Sequence, residues 1–218
     1  MIKCCIFDLD GVVVDTARYH YLAWAQLARR LGFEFTEADG EATKGVGRMT
    51  SLEVVLRVGG MSDRFSTADK ERMAAEKNAT YLDLVARMSP NELLPGVAVF
   101  LHELRQRGVG VVLGSASKNA ATILDRCCIR ELFDVVVDGT MVTRAKPNPM
   151  IFATGAALAG FDSCECVVFE DAVAGIEAAT RAGMRSVGVG GSPTLGEATM
   201  QLTSFEGFTF DKLCAAID

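Results

Sequence analysis

Residues 4 to 12 read Cys4-Cys5-Ile6-Phe7-Asp8-Leu9-Asp10-Gly11-Val12. A short apolar run that stops at a carboxylate is how a strand buried on both faces looks where it emerges from a parallel sheet. Asp8 and Asp10 are two positions apart, so on an extended backbone both side chains point to the same side. Two carboxylates that close repel each other, and the pair calls for a cation.

The pattern around this strand repeats its character. Val109 to Leu113, Phe133 to Val137, Cys166 to Phe169 and Ser186 to Val189 are further short apolar runs. Helical stretches at about 97–107, 118–126, 149–159 and 172–182 separate them. Solid strands alternating with helices predict a parallel sheet covered on both faces. Between the first strand and the rest, the rhythm differs. Ala17, Tyr21, Trp24, Ala28 and Leu31 step at helical spacing over 17–31, Gly32 supplies a stop, and residues 36 to 88 continue in the helical mode. The expected architecture is α/β: a Rossmann-like core from residues 1–14 and 90–218, interrupted by a helical insert over 15–89.

Composition narrows the function. The 218 residues are 50% hydrophobic and 23% charged, enough to build a core and unlike a disordered chain. Net charge is −6 and the basic residues are scattered singly, which argues against nucleic-acid binding. The stretch from Pro147 to Phe161 lacks charge but is too short and too rich in proline to span a membrane, and Lys3 and Asp8 interrupt any leader-like apolar run. These readings describe a cytoplasmic, monomeric protein with a small-molecule partner and no membrane or nucleic-acid partner. Seven cysteines without a CxxC pair, beside two histidines, are expected to be reduced thiols, with neither a disulfide framework nor a zinc site.

In open parallel sheets, ligands bind beyond the carboxyl ends of the strands. Asp8 and Asp10, Ser115-Ala116-Ser117-Lys118-Asn119, Asp138 with Lys146-Pro147 further on, and Glu170-Asp171 all follow apolar runs. Asp8, Asp10, Glu170 and Asp171 together form a set of hard oxygen donors suited to Mg²⁺; the alternative is acids that merely cap helices. With Mg²⁺ neutralising a phosphate, Asp8 can attack phosphorus and form an aspartyl phosphate. Ser115, the Ala116 N–H and Lys146 would steady the equatorial oxygens, and Asp10 would give a proton to the leaving oxygen and take one from the attacking hydroxyl.

Phe7-Asp8-Leu9-Asp10-Gly11-Val12 with Asp15-Thr16, Ser115, Lys146 and Glu170-Asp171, in that order and spacing, resembles the haloacid dehalogenase superfamily of aspartate-based phosphotransferases. The resemblance covers nearly the whole chain and implies that Thr16 belongs to the catalytic motif and that the helical insert is a small cap domain. Within the superfamily the chain looks most like the beta-phosphoglucomutase family, which interconverts beta-D-glucose 1-phosphate and glucose 6-phosphate. Three segments carry this likeness: Thr16-Ala17-Arg18-Tyr19-His20 with Ala23-Trp24, the loop Lys44-Gly45-Val46-Gly47-Arg48 with Ser51-Leu52, and Ser115 to Asn119. It implies that Arg48, Ser117, Lys118 and Asn119 hold a second phosphate, that Lys44, Gly45, Val46, Ser51 and Lys77 meet the substrate, and that His20 helps orient Asp10. Gly47, where that family usually has serine, and Asn148, where alanine is common, depart from the pattern and leave the exact sugar open.

Two other functions share these residues. A phosphatase of small sugar phosphates would use Asp8, Asp10 and the Mg²⁺ site in the same way. A receiver-like signalling module also combines an acidic Mg²⁺ site with a phospho-accepting Asp, but has no acid two residues later and no helical insert of this size. Asp8→Asn is expected to abolish phosphate incorporation, and Asp10→Asn to slow transfer while the fold survives; labelled phosphate appearing on the Asp8 variant would remove the nucleophile.

Overall fold

The computed structural model of the chain describes residues 1–43, 47–190, 195 and 197–217. It divides into two compact units, one of Met1–Asp15 with Met88–Asp218 and one of Thr16–Arg87.

The first unit is built on β1 (Cys4–Phe7), every residue of which is buried. It continues with α5 (Val97–Gln106), β2 (Gly110–Gly114), α6 (Ala120–Arg126), β3 (Val135–Val137), α7 (Met150–Ala159), β4 (Cys166–Glu170), α8 (Val173–Arg181), β5 (Arg185–Val189), β6 (Met200–Leu202) and α9 (Phe210–Ile217). The six strands form one parallel sheet in the order β3-β2-β1-β4-β5-β6. Phe7 stands level with Leu113 of β2 and Phe169 of β4, so β1 ends one residue before its two neighbours.

The alternation of side chains sorts the core into two faces. Cys4 and Ile6 point with Val112, Val137, Cys166 and Val168 against Ile151, Phe152 and Ala156 of α7 and Ala178 and Ala179 of α8. Phe7 points the other way. Its ring stacks on Phe169 at 4.7 Å between centroids and meets Phe100 of α5 edge-on at 6.2 Å. Phe133, at 6.3 Å, closes the same cluster, as does Phe205.

The second unit consists, among its described residues, of α1 (Ala17–Leu31), α2 (Glu37–Glu41), α3 (Arg48–Val58) and α4 (Thr67–Val85). Sequence signals set the helix ends. Thr36 with Asp39 and Ser66 with Asp69 form reciprocal capping boxes at the starts of α2 and α4, and Gly32, at φ +91°, closes α1 with its N–H on Ala28 and Arg29 carbonyls. Trp24, Leu27, Ala28, Phe35, Leu52, Val55, Leu56, Met73 and Ala74 make its core. The buried stripe of α1 runs through Tyr19, Ala23, Trp24, Leu27 and Ala28, rotated from the expected one; Ala17, Tyr21 and Leu31 are only partly covered.

Several boundaries differ from the sequence reading. β3 starts at Val135 because Phe133 turns into the aromatic cluster and Asp134 bonds the Val111 N–H through its carboxylate. β6 and α9 had no counterpart in it: Met200-Gln201-Leu202 is too short and mixed to show a period. Phe7→Ala removes the ring at the centre of the aromatic cluster and is expected to lower stability by about 3–5 kcal/mol, read from urea unfolding followed by circular dichroism. A loss below about 1 kcal/mol would mean that the cluster collapses into the gap.

Candidate active site

The order of the sheet reverses between β1 and β4, and this is where an open α/β sheet leaves a crevice. Asp8 and Asp10 follow β1, and Glu170 and Asp171 close β4. Lys146, from the segment between β3 and α7, joins the two strand ends: its Nζ lies 2.5 Å from Asp8 Oδ1 and 2.6 Å from Glu170 Oε1. The side chains of Lys146, Asp8 and Glu170 are only 12%, 9% and 2% exposed. Backbone amides hold the other oxygens. Asp10 N–H donates to Asp8 Oδ2 at 3.0 Å and Ala172 N–H to Glu170 Oε2 at 2.8 Å.

Two glycines make room for these carboxylates. Gly11, at φ +75°, leaves space in which a Cβ would lie 2.0 Å from Asp171 Oδ2. In α8 a Cβ at Gly175 would lie 1.9 Å from Glu170 Oε1. The Asp8–Leu9–Asp10–Gly11 turn is tied by a Gly11 N–H to Val14 carbonyl bond at 2.8 Å.

Charge is unbalanced here. Burial pushes the Asp8 carboxyl up to about 8, Glu170 and Asp10 add to the rise, and Lys146 opposes it. Asp171 is pushed up to about 7 by desolvation and then by Glu170 and Asp10. Burial works against the Lys146 charge, but Asp8 and Glu170 hold its pKa above the ordinary lysine value. Four acidic side chains with one ammonium want a further cation. Their hard oxygens fit Mg²⁺, which binds through few carboxylates and keeps several waters. Among the described residues, no group of three or more His, Cys, Asp or Glu side chains converges closely enough to hold a metal without such waters.

Beyond β2, Ser115 is fully buried and its Oγ accepts the Ser117 N–H at 3.1 Å, leaving its hydroxyl hydrogen free to donate. Ser117 Oγ in turn accepts the Asn119 N–H at 3.2 Å, while Ala116 and Lys118 are exposed. Gly139 closes on this loop so tightly that a Cβ there would lie 2.1 Å from the Ala116 carbonyl oxygen. Asp138 serves the turn: its Oδ1 accepts the Thr140 N–H at 2.8 Å.

In the helical unit, Thr16 is buried at the start of α1. His20 Nδ1 lies 3.0 Å from Lys77 Nζ, and Arg48 Nη2 donates to Asn78 Oδ1 at 2.7 Å. Although His20 is exposed by surface area, desolvation of its packed ring side and then the Lys77 and Arg48 charges hold the imidazole below its ordinary pKa, in the neutral form. When Lys77 is an ammonium it can only donate, and Nδ1 then accepts from it with the imidazole hydrogen assigned to Nε2. Lys44, Gly45 and Val46 lie outside the described residues. Ser51, expected at the substrate, is buried, and its hydroxyl turns back to the Gly47 and Thr43 carbonyls at 3.3 and 3.4 Å, bracing the start of α3.

The sequence reading missed Gly175. Its signal was a glycine inside an otherwise alanine-rich helix, a position that usually has a packing reason. It also cast Glu170 as a metal ligand alone, whereas one oxygen anchors Lys146.

Residues 2–183 match the model of the haloacid dehalogenase-like hydrolase family, and the chain belongs to that family. It is 42% identical over 195 residues, 89% of this chain and 86% of the other, to a beta-phosphoglucomutase of Bacillus subtilis (strain 168). It is also 31% identical over 184 residues, 84% of this chain and 94% of the other, to a fructose-1-phosphate phosphatase of Escherichia coli (strain K12). The crystal structure of a beta-phosphoglucomutase from Clostridium difficile superposes with a TM-score of 0.88 at 38% identity, covering 100% of this chain and 97% of that one.

Gly175→Ala is expected to push Glu170 off Lys146 and reduce phosphoryl transfer by about a hundredfold with an unchanged circular dichroism spectrum, since a shift of about 1 Å at a reacting group is worth that much. Wild-type turnover in this variant would show that Glu170 has slack.

Proposed function

We propose that the protein is a phosphoglucomutase interconverting beta-D-glucose 1-phosphate and glucose 6-phosphate through an aspartyl phosphate on Asp8 and a bound sugar 1,6-bisphosphate. The observation that carries this reading is the similarity to the Bacillus subtilis enzyme across 89% of the chain. The cluster of Arg48, Lys77 and His20 supports it, because a mutase has to hold a second phosphate and a hydrolase does not.

The chemistry follows from the groups in place. Asp8 attacks phosphorus as its carboxylate, and Lys146 together with the Ser115 hydroxyl steadies the negative charge of the transferring group. Mg²⁺ bound by Asp8, Asp10, Glu170 and Asp171 would supply the charge neutralisation that lets one anion approach another. Asp10, whose own N–H orients Asp8, protonates the leaving sugar oxygen and later deprotonates the hydroxyl that attacks the aspartyl phosphate. Arg48, with its planar fork, and Ser117, Lys118 and Asn119 are assigned to the phosphate that is not being transferred. The protein is read as cytoplasmic and acting on a small sugar phosphate. Among the described residues no helix is long and apolar enough to cross a membrane, and all seven cysteines are free thiols.

The second reading, a phosphatase of small sugar phosphates, is favoured by the similarity to the fructose-1-phosphate phosphatase. The test supplies beta-D-glucose 1-phosphate, Mg²⁺ and a trace of the 1,6-bisphosphate, and follows glucose 6-phosphate and free phosphate together. Glucose 6-phosphate with little free phosphate is expected; free phosphate alone makes the protein a phosphatase. Arg48→Ala is expected to lower mutase turnover at least about tenfold more than hydrolysis of a small monoester, the loss appropriate to a charge-assisted contact. Equal losses would remove the second phosphate site.

A further inference from the structure

Lys77 of α4 is 4% exposed, yet no carboxylate pairs with it among the described residues. A buried ammonium without a counter-charge is expensive, and something has to offset the lost hydration. Its surroundings are aromatic. The Nζ lies 4.5 Å from the ring centroid of Trp24 on α1 and 5.1 Å from that of Tyr81 on its own helix, within range for a cation held over a π face. The His20 ring packs on Tyr81 at 4.2 Å between centroids and offers Nδ1 to the same nitrogen at 3.0 Å. Trp24 and Tyr81 are each 2% exposed, so they are fixed in place by the core of the helical unit.

We infer that the faces of Trp24 and Tyr81 hold the Lys77 ammonium in place of a carboxylate, which makes the two rings positioning residues for the hold of Lys77 on an anionic sugar phosphate. The second half of this inference rests on the mutase reading. A carboxylate partner would neutralise Lys77 and compete with a phosphate for it. Ring faces supply attraction without net charge, so the lysine stays aimed and remains electrostatically unsatisfied.

Burial, followed by the Arg48 charge, brings Lys77 down to about 7. The titratable or charged groups facing it are His20 on α1, Arg48 on α3 and the Tyr81 phenol on α4; His20 is neutral, so Arg48 is the charge that opposes it. The rings oppose that depression. Removing a ring face destabilises the ammonium against the amine and moves the titration to lower pH, by about half to one unit for a partly desolvated cation–π contact.

The experiment uses the full chain with ¹³C at lysine Cε, the Lys77 signal being assigned by its loss in Lys77→Met. In the free protein, Trp24→Leu and Tyr81→Leu are expected to lower the Lys77 titration midpoint, Tyr81→Phe to leave it unchanged, and Trp24→Phe, which keeps bulk and a weaker face, to give an intermediate shift. With beta-D-glucose 1-phosphate the Leu variants raise KM about 3- to 10-fold at pH 7 with kcat within about twofold, the range a cation–π contact covers. The alkaline fall of kcat/KM moves to lower pH in step. In a Lys77→Met background the same ring substitutions change KM no further.

If a Leu variant fails to fold, as shown by circular dichroism, Trp24→Phe and Tyr81→Phe still carry the comparison. An unmoved Lys77 midpoint in folded Trp24→Leu, Tyr81→Leu or Trp24→Phe overturns the inference, as does an equal KM loss in the Lys77→Met background. Shifted midpoints in the ring variants of a protein whose wild type makes no glucose 6-phosphate overturn only the substrate half, through the failure of the mutase reading.

Discussion

The Lys146 ammonium between Asp8 and Glu170 is the contact on which the active site depends. Two acidic side chains at the ends of adjacent parallel strands are both withdrawn from water there, and the ammonium bridges them. Breaking such a buried pair usually costs about 3–5 kcal/mol, comparable with the whole stability margin of many domains. One lysine does not balance the set, and Asp8 is still pushed up to about 8, chiefly by burial. A carboxylate that acts as a nucleophile has to be ionised, so under the proposed mechanism a divalent cation beside Asp8 would oppose the rise that burial and the neighbouring acids impose. Gly11 and Gly175 belong to the same constraint, since each leaves the volume that an acidic side chain occupies.

The helical unit has the opposite problem. Arg48, Lys77 and His20 gather there with no carboxylate bonded to them among the described residues, and the imidazole takes the neutral form. Arg48 is met by the Asn78 amide oxygen, and Lys77 by a ring nitrogen and two aromatic faces. Neutral partners fix the direction of a cation without cancelling its charge. One unit therefore carries an excess of buried negative charge, and the other carries positive charge left uncancelled.

Much of this was legible in the sequence because it follows from short-range rules. The apolar run ending at Asp8, the i, i+2 carboxylates and the acids after Phe169 pointed to the parallel sheet and the donor set, though not to the strand order that places the switch point between β1 and β4. The helical spacing over 17–31 and the stop at Gly32 marked α1 just as locally. What could not be read was long-range. Nothing in the spacing says that Lys146 reaches both Asp8 and Glu170, that Gly175 stands under a carboxylate, or that the hydroxyl of Ser51 is spent on its own backbone. The small error in the face of α1 has the same origin: the stripe that is buried is the one that meets α3 and α4, and helical period alone leaves its rotation free.

On the proposed mechanism a mutase and a phosphatase would share Asp8, Asp10, Lys146 and Glu170, because both would transfer a phosphoryl group to the same carboxylate. The choice between a sugar hydroxyl and water as the acceptor cannot lie in groups that treat the phosphorus identically. It has to lie in groups that bind the rest of the substrate strongly enough to keep a bisphosphate in place while its two ends exchange. Those groups need charge that is directed and not already neutralised. A lysine buried against Trp24 and Tyr81, and an arginine aligned by an amide oxygen, meet that requirement; a salt-bridged surface lysine such as Lys70, paired with Glu53, does not.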